Sequence, residues 1–202
     1  MDSDQSKRNL SGTVLVILGL LSVLCSGWGR HVQEQAPLPL LLSSGQVTSQ
    51  FAEVRMIVWF DNAEKPYKIN LAAPLAGWTW QEKAGASIVQ LTGAQVIDAR
   101  EEMLLSNWYS AIEPQVRQAG GRMYLDERIA EGLDIAAYLA KTDALPQQWD
   151  LTGKTRSIAA WHHWAGPGVW AGTERINLQL ATRMSEQGGM TVLAVPVLVE
   201  EF

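Results

Sequence analysis

The chain has 202 residues, of which 47% are hydrophobic, and this is enough apolar material to build a packed core. Its formal net charge of −5 argues against a surface that neutralises nucleic-acid phosphates or docks on anionic lipid. The single cysteine, Cys25, excludes an intrachain disulfide and leaves residues 26–202 without a thiolate nucleophile.

The first thirty residues have the composition of an export signal. Lys7 and Arg8 precede an uncharged apolar run over residues 10–29, which is about the length that spans a bilayer as a helix. Positive charge before the run favours an N-terminus that stays in the cytoplasm and a body that is exported. We therefore predict a signal peptide or signal anchor over residues 1–30. The body is then extracytoplasmic, held at the cell membrane by this single anchor, or secreted if the segment is cleaved.

Two details of this segment bear on its processing. No clear A-x-A motif marks a cleavage site, which favours an uncleaved anchor. Bulky Leu24 stands before Cys25, where a lipoprotein signal requires small residues, so lipidation of Cys25 is disfavoured. Cleavage and lipidation stay open as alternatives, as does a buried core helix, although the run has no amphipathic pattern.

The body begins with strands. Residues 31–45 are predicted to be a linker, and in "FAEVRMIVWF" (residues 51–60) apolar side chains recur at every second position, which predicts a strand with one apolar face. That face carries Val54, Met56, Val58 and Phe60. Further short strands are predicted in residues 77–83 and 86–99, with breaks near Gly85 and Gly93. The pattern of residues 61–85 does not define an architecture.

Two helices follow. In residues 100–121 the apolar residues Leu104, Trp108 and Ile112 recur four apart, and Gly120 and Gly121 end the pattern. Pro114 is expected to kink this helix or to end it early, because its ring clashes with the carbonyl four residues before it. A short strand is predicted next, in "GRMYLDE". The second helix is predicted in residues 132–141, with an apolar stripe formed by Leu133, Ala136, Ala137 and Ala140.

From Lys154 onward the pattern is one of strands and turns. Residues 155–161 predict a strand, and in residues 174–184 an alternating pattern turns Ile176, Leu178 and Leu180 inward. Pro196 favours an edge position or a bend for the last strand. The order of elements predicts an α+β fold with two small subdomains, residues 46–119 and 120–202, each made of mostly antiparallel sheet with one or two covering helices.

The C-terminal hairpin resembles the ending of the YwmB family, which are exported proteins with a TATA-box-binding-protein-like fold. The residues that carry the resemblance are Asn177, Arg183, the segment 196–199 and the final pair Glu201 and Phe202. Upstream, residues 40–60 resemble the end of the family's first helix and its first strand. The resemblance implies two TBP-like α+β subdomains after an N-terminal apolar helix, and no established biochemical role. The longer helix that follows the family's first strand has no counterpart in residues 61–77.

The sequence argues against catalysis and against a bound metal or cofactor. His162 and His163 would point to opposite faces of a strand, and the third histidine, His31, lies next to the N-terminal segment, so no zinc ligand set is complete. There is no G-x-S-x-G motif and no phosphate-binding loop. Carboxylates that could serve a small extracytoplasmic hydrolase, the alternative of this class, are Asp126, Glu127, Glu131 and Asp134.

The motif "AAWHHWAGPGVW" (residues 159–170) is the candidate binding site. Trp161, Trp164 and Trp170, together with His162, surround a Gly-Pro-Gly turn, and indoles exposed there could stack on a sugar ring or a partner protein. Packing in the core, or contact with the lipid interface, is the alternative. The sequence therefore predicts an envelope binding or interaction module whose partner is an envelope protein or glycan. A TBP-like DNA-binding protein is the alternative, although no nucleic acid is expected on so acidic a chain.

Overall fold

A computed structural model describes residues 38–61, 71–85, 88–185 and 188–199. These residues belong to one compact unit that spans Ala36–Phe202. The predicted signal segment, residues 1–30, lies outside the described residues, as do Glu201 and Phe202. In the part of the chain that the structure describes, no helix is both long enough and apolar enough to cross a membrane.

The described residues form two α-helices, ten strands and one short 3-10 turn at Leu42–Ser44, so the α+β class is confirmed. The helices are α1 (Ala99–Gln118) and α2 (Ile135–Thr142). The strands, in chain order, are β1 (Phe51–Phe60), β2 (Gln81–Ala84), β3 (Val89–Asp98), β4 (Gly121–Ile129), β5 (Leu145–Thr152), β6 (Thr155–Trp161), β7 (Val169–Ala171), β8 (Glu174–Ile176), β9 (Leu178–Ser185) and β10 (Gly188–Val195).

Eight of these strands form a single sheet in the order β2-β3-β1-β4-β10-β9-β6-β5, and every pairing in it is antiparallel. Strands β7 and β8 pair with each other as a separate hairpin. Residues 46–119 contribute β1, β2, β3 and α1, and residues 120–202 contribute the rest. Both of the predicted subdomains thus take part in one sheet.

The core lies between the helices and one face of this sheet. The alternation predicted for β1 is confirmed, because Val54, Met56, Val58 and Phe60 are all buried. They belong to one apolar cluster with side chains of both helices and of β4, β6, β9 and β10. The cluster also includes Leu38, Leu40 and Leu41, so the described part of residues 31–45 packs into the body.

α1 begins at a capping box, in which the Asp98 side chain accepts from the backbone N–H of Glu101 and the Glu101 side chain accepts from that of Asp98. The helix continues past Pro114 to Gln118, so the early end, one of the two effects expected of Pro114, is wrong. Of the predicted stripe, Trp108 and Ile112 are partly buried and pack against the core. Leu104 is exposed, and the buried residues are Glu102, Leu105, Ser106, Tyr109 and Val116. Three of these five residues are polar, so a pattern based on hydrophobicity did not identify this face as the buried one.

The stripe predicted for α2 is wrong for its alanines, whereas Leu133, which precedes the helix, is buried as predicted. Ala136, Ala137 and Ala140 are exposed, and the side chains turned into the core are Ile135, Tyr138 and Leu139. Larger apolar side chains gain more free energy from burial than alanine does. Tyr138 can join them because its hydroxyl donates a hydrogen bond to the backbone carbonyl of Pro39.

Two strands differ from their predictions, and a third strand was not predicted. β3 runs through Gly93 without a break, because the glycine lets the Trp78 indole pack against the strand: a Cβ there would lie 2.6 Å from Trp78 Cε2. β10 lies inside the sheet between β4 and β9, and it ends at Val195, so Pro196 follows the strand and does not mark an edge. β5 was not predicted, since seven of its eight residues are exposed.

Candidate binding site

An open groove of about 880 Å³ lies between α2 and the β5 end of the sheet. This volume lies within the range of roughly 300–1,000 Å³ that is usual for ligand sites. Its lining is mostly apolar and comes from α2, β5, β6 and the loop between α2 and β5. The groove therefore has the size and the chemistry of a site for an apolar ligand.

The groove exists because the two helices differ in length. α1 has 20 residues and is about 30 Å long, whereas α2 has 8 residues and is about 12 Å long. The shorter helix leaves the outer strand β5 uncovered. As a result Leu145, Trp149 and Leu151, which line the groove, are 58%, 75% and 69% exposed. Large side chains exposed together in this way are typical of an interaction surface.

Charges stand at the groove's rim. Asp134, Asp143, Asp150 and Arg156 all contribute to the lining, which gives three acidic residues and one basic residue. Asp150 alternates with Trp149 and Leu151 along β5, so its side chain points to the opposite face of the strand. Asp134 also caps α2 by accepting from Ala137 N at 3.1 Å, and Asp150 accepts from Thr152 Oγ1 at 2.9 Å. The rim is therefore fixed in place and carries net negative charge.

The predicted site, the aromatic loop of residues 161–170, is held rigidly by Asn177. This buried side chain accepts from His162 N at 2.7 Å and donates to the carbonyls of His162 and Gly166 at 2.6 and 2.8 Å. His162 is buried as well, and this burial, reinforced by the neighbouring His163, lowers the pKa of its imidazole below 6.5. His162 is thus part of the scaffold of the loop and is not an exposed contact residue.

The three tryptophans of the predicted site are placed differently from one another. Trp161, the last residue of β6, is partly buried and carries the Arg175 guanidinium 5.4 Å from its ring centroid. Trp164 is partly buried and packs on His163, with 4.7 Å between the ring centroids. Trp170 is 71% exposed on the β7–β8 hairpin. Of the four residues, Trp170 offers the most free aromatic surface.

The groove and the aromatic loop adjoin each other. Leu145, at one end of the groove, pairs with Trp161 in the β5–β6 register, and Asp143 at the rim interacts electrostatically with His162. Sequence reasoning found the loop but missed Trp149 and its strand. The available signal was the alternation of Trp149 and Leu151 in "LPQQWDLT". Leu145 lies before a bulge between Pro146 and Gln148, which interrupts the period of two.

A second feature that the sequence did not reveal is a pair of buried carboxyl groups. Glu102 of α1 and Glu127 of β4 are fully buried and hydrogen-bonded to each other. Their oxygens accept from the backbone of the 3-10 turn: Leu41 N donates to Glu127 Oε2 at 2.6 Å, and Ser43 N donates to Glu102 Oε2 at 2.8 Å. Burial, followed by the charge of Glu102, raises the pKa of Glu127 well above its ordinary value.

These bonds belong to a longer attachment, which we call the strap, formed by residues 38–49. Ser106 accepts from Leu38 N at 2.7 Å, and at the far end Glu131 accepts from Ser49 N at 2.8 Å and from Thr48 N. Burial would raise the pKa of Glu131, but the hydrogen bonds from Ser49 and Thr48 hold it below its ordinary value. Side chains of α1, α2, β4 and the residues after β4 therefore fix the strap to the body.

The carboxylates that could have served a hydrolase all have structural partners. Asp126 pairs with Arg128 at 2.7 Å, Glu127 joins the buried pair, Glu131 holds the strap and Asp134 caps α2. The two carboxyls that do converge, Glu102 and Glu127, are in hydrogen-bond contact. The catalytic carboxyls of glycosidases stand about 5–10 Å apart across an open cleft.

The sheet face that carries Arg55 and Arg128, opposite the core side chains, is the one that a saddle-shaped nucleic-acid binder would use. Charges on this face neutralise one another: Arg128 pairs with Asp126, and Arg55 lies 3.8 Å from Glu53. Residues 197–199 also cross it, where Leu198 N donates to Gln179 Oε1 at 3.0 Å. Phosphate binding requires clustered positive charge, and these pairs do not supply it.

Among the described residues, no cluster of three or more His, Cys, Asp or Glu side chains is arranged to hold a metal ion. No family model, no curated protein and no solved structure matches this chain. The fold and the site therefore define it as an α+β protein with one large antiparallel sheet and an acid-rimmed apolar groove. The resemblance to the YwmB family stays a prediction.

Proposed function

We propose that this protein is an exported, membrane-anchored and non-catalytic module that binds an apolar part of a cell-envelope component. We assign it a YwmB-like, TBP-like architecture, in keeping with its antiparallel sheet and two helices. The export signal in residues 1–30 supports the extracytoplasmic location. The single observation that carries the binding function is the groove of about 880 Å³ with Trp149 exposed in it.

Burial of the exposed groove side chains would drive this binding. Each large apolar side chain that a ligand covers contributes about 1.5–3 kcal/mol. Leu145, Trp149 and Leu151 lie along one strand, so a single elongated ligand could cover all three. A part of that gain offsets the entropy lost on association, which is why several such side chains are needed.

The aromatic loop is the second candidate for the same function. Trp170 is almost as exposed as Trp149, and it could stack on a glycan ring or a partner protein. The loop adjoins the groove, but its exposed aromatic residue, Trp170, lies on the β7–β8 hairpin outside the groove lining, whereas the groove can surround a ligand. We therefore place the main contact in the groove and expect the loop to add a border contact.

Photo-crosslinking in intact cells tests the proposal. In one variant a benzophenone amino acid replaces Trp149. In a second variant it replaces Trp170, which is the matched site outside the groove. A discrete adduct is expected from position 149. Ala140→Trp, which fills the groove, should abolish it, while Ala137→Trp should not, because Ala137 is an exposed α2 alanine that does not line the groove.

The outcomes separate the alternatives. An adduct from position 170 alone would move the function to the aromatic loop. An adduct from position 149 that survives Ala140→Trp would contradict binding in the groove. Protease added to intact cells should degrade the body of the full chain, and its protection there would contradict the extracytoplasmic location.

A further inference from the structure

The two edges of the sheet differ in how they are protected. β2, at one edge, has 4 residues and carries Glu82 and Lys83. β5, at the other edge, has 8 residues and no lysine, and it exposes Trp149 and Leu151. Short length and charged side chains, lysine above all, are the usual means by which proteins prevent edge strands from pairing with other chains. β2 has both means. In β5, Pro146 and a bulge between Pro146 and Gln148 protect the first half of the strand, whereas residues 149–152 have no proline, bulge or lysine and carry Asp150 as their one charge.

We propose that β5 accepts an extended segment of a partner polypeptide as a ninth strand of the sheet, with apolar side chains in the groove and a basic side chain at its acidic rim. This inference rests on the proposed function and specifies the partner of the same site. Strand addition of this kind takes affinity from main-chain hydrogen bonds and specificity from pockets for alternate side chains.

The backbone of β5 is suited to this pairing along part of its length. Among the residues that the structure describes, β5 pairs with β6 on one side only, and residues 148–152 do so in unbroken register. The side chain of Gln148 donates to the carbonyl of Ala171 at 2.6 Å, so the β7–β8 hairpin borders the strand at that point. The available edge therefore runs from residue 149 to the end of β5 at Thr152.

The side chains beside this edge select apolar residues at alternate positions. Trp149 and Leu151 are two apart and both line the groove, so the strand presents them on the same face. Side chains of an added strand that point to this face would lie against them and against α2. Cross-strand pairs of aromatic and aliphatic side chains contribute roughly 0.2–1 kcal/mol each beyond their burial.

The rim charge decides between a basic partner and a second copy of this chain. Asp134 and Asp143 outnumber Arg156 at the rim, and Asp150 adds a negative charge on the opposite face of β5. Antiparallel pairing of β5 with its own copy would bring two such acidic rims together, and β5 has no basic residue to compensate. A peptide with lysine or arginine next to its apolar positions meets opposite charge at the same place.

The test uses a synthetic seven-residue peptide in which valine alternates with threonine and lysine, labelled for fluorescence anisotropy. The protein is the full chain in phospholipid nanodiscs. In one derivative, N-methyl groups block the amides along one edge of the extended peptide. In a second derivative, they block the amides along the other edge. Only one edge can face β5, so one derivative should lose affinity at least tenfold while the other binds like the parent.

Two further comparisons change the charge of the peptide and the shape of the groove. Replacement of lysine by glutamate in the peptide should weaken binding, and Ala140→Trp in the protein should weaken it while Ala137→Trp does not. If both N-methylated peptides bind alike, the ligand lies in the groove without strand addition, and the inference is overturned while the proposed function stands. Concentration-dependent dimerisation of the protein that the peptide does not disrupt would also overturn it. So would binding of the labelled peptide to nanodiscs that contain no protein, without additional binding to the protein. If position 149 captures nothing in cells, the proposed function itself fails.

Discussion

Glu102 of α1 and Glu127 of β4 both accept a hydrogen bond from the backbone N–H of Leu42, at 2.6 and 3.4 Å. The two carboxyl groups are also hydrogen-bonded to each other and fully buried. Such a contact requires a proton between them, because two ionised carboxylates buried side by side repel each other. The strap is therefore attached to the body through a pair of groups that is stable in its protonated state.

The stability of the protein should consequently fall as the pH rises through the raised pKa of Glu127. The folded chain keeps a proton on Glu127 above pH 4.5, where the unfolded chain has lost it, so the free energy of unfolding decreases with pH. Glu127→Gln cannot ionise and still offers an oxygen to Leu41 N. We expect the stability of this variant to change less than that of the parent as the pH rises above 4.5 in urea unfolding. An unchanged pH dependence would contradict the shared proton.

Glu131 should show the opposite dependence. Hydrogen bonds from Ser49 and Thr48 hold the pKa of Glu131 below 4.5, so its contribution is present above that pH and lost as the pH falls through the lowered value. Glu131→Gln should lower the free energy of unfolding at neutral pH and have little effect in acid. Equal destabilisation at all pH values would show that the charge of Glu131 is not what holds the strap.

Asn177→Ala should loosen the aromatic loop and destabilise the fold by about 3 kcal/mol, since unsatisfied buried hydrogen-bonding groups cost roughly 1–3 kcal/mol each. The pKa of His162, which burial holds below 6.5, should rise toward its ordinary value in an NMR titration. Gln148→Ala, which removes one exposed side-chain bond to Ala171, is the control and should cost less than about 1 kcal/mol. A His162 titration that is unchanged in Asn177→Ala would mean that Asn177 does not position the loop.

Gly93→Ala should destabilise the protein by about 1–3 kcal/mol through steric overlap with Trp78. Trp78 is buried and lies edge-to-face with Trp80, which limits its movement. Gly85→Ala is the matched control, because its nearest contact at 3.6 Å is an ordinary van der Waals distance. Equal melting temperatures for the two variants would contradict the close approach of Trp78 to β3.

Some elements followed from local patterns alone. The period of two in β1 gave its buried face correctly, and α1 ends before Gly120 and Gly121, as predicted, with Gly120 in the turn and Gly121 at the start of β4. Other elements did not follow, because their buried faces include polar groups whose partners come from distant parts of the chain. Glu102 and Tyr138 are buried only because strap groups complete their hydrogen bonds.

By itself, the sequence determined the α+β class, the apolar face of β1 and the absence of disulfide chemistry after Cys25. Each of these depends on residues that are near one another in the chain or on composition. Tertiary structure alone decided the groove and the buried carboxyl pair. The groove depends on which strands a short helix leaves uncovered, and the pair depends on α1 and β4 meeting beneath the strap. Strand order and long-range packing set both, and a local pattern of polar and apolar residues does not encode them.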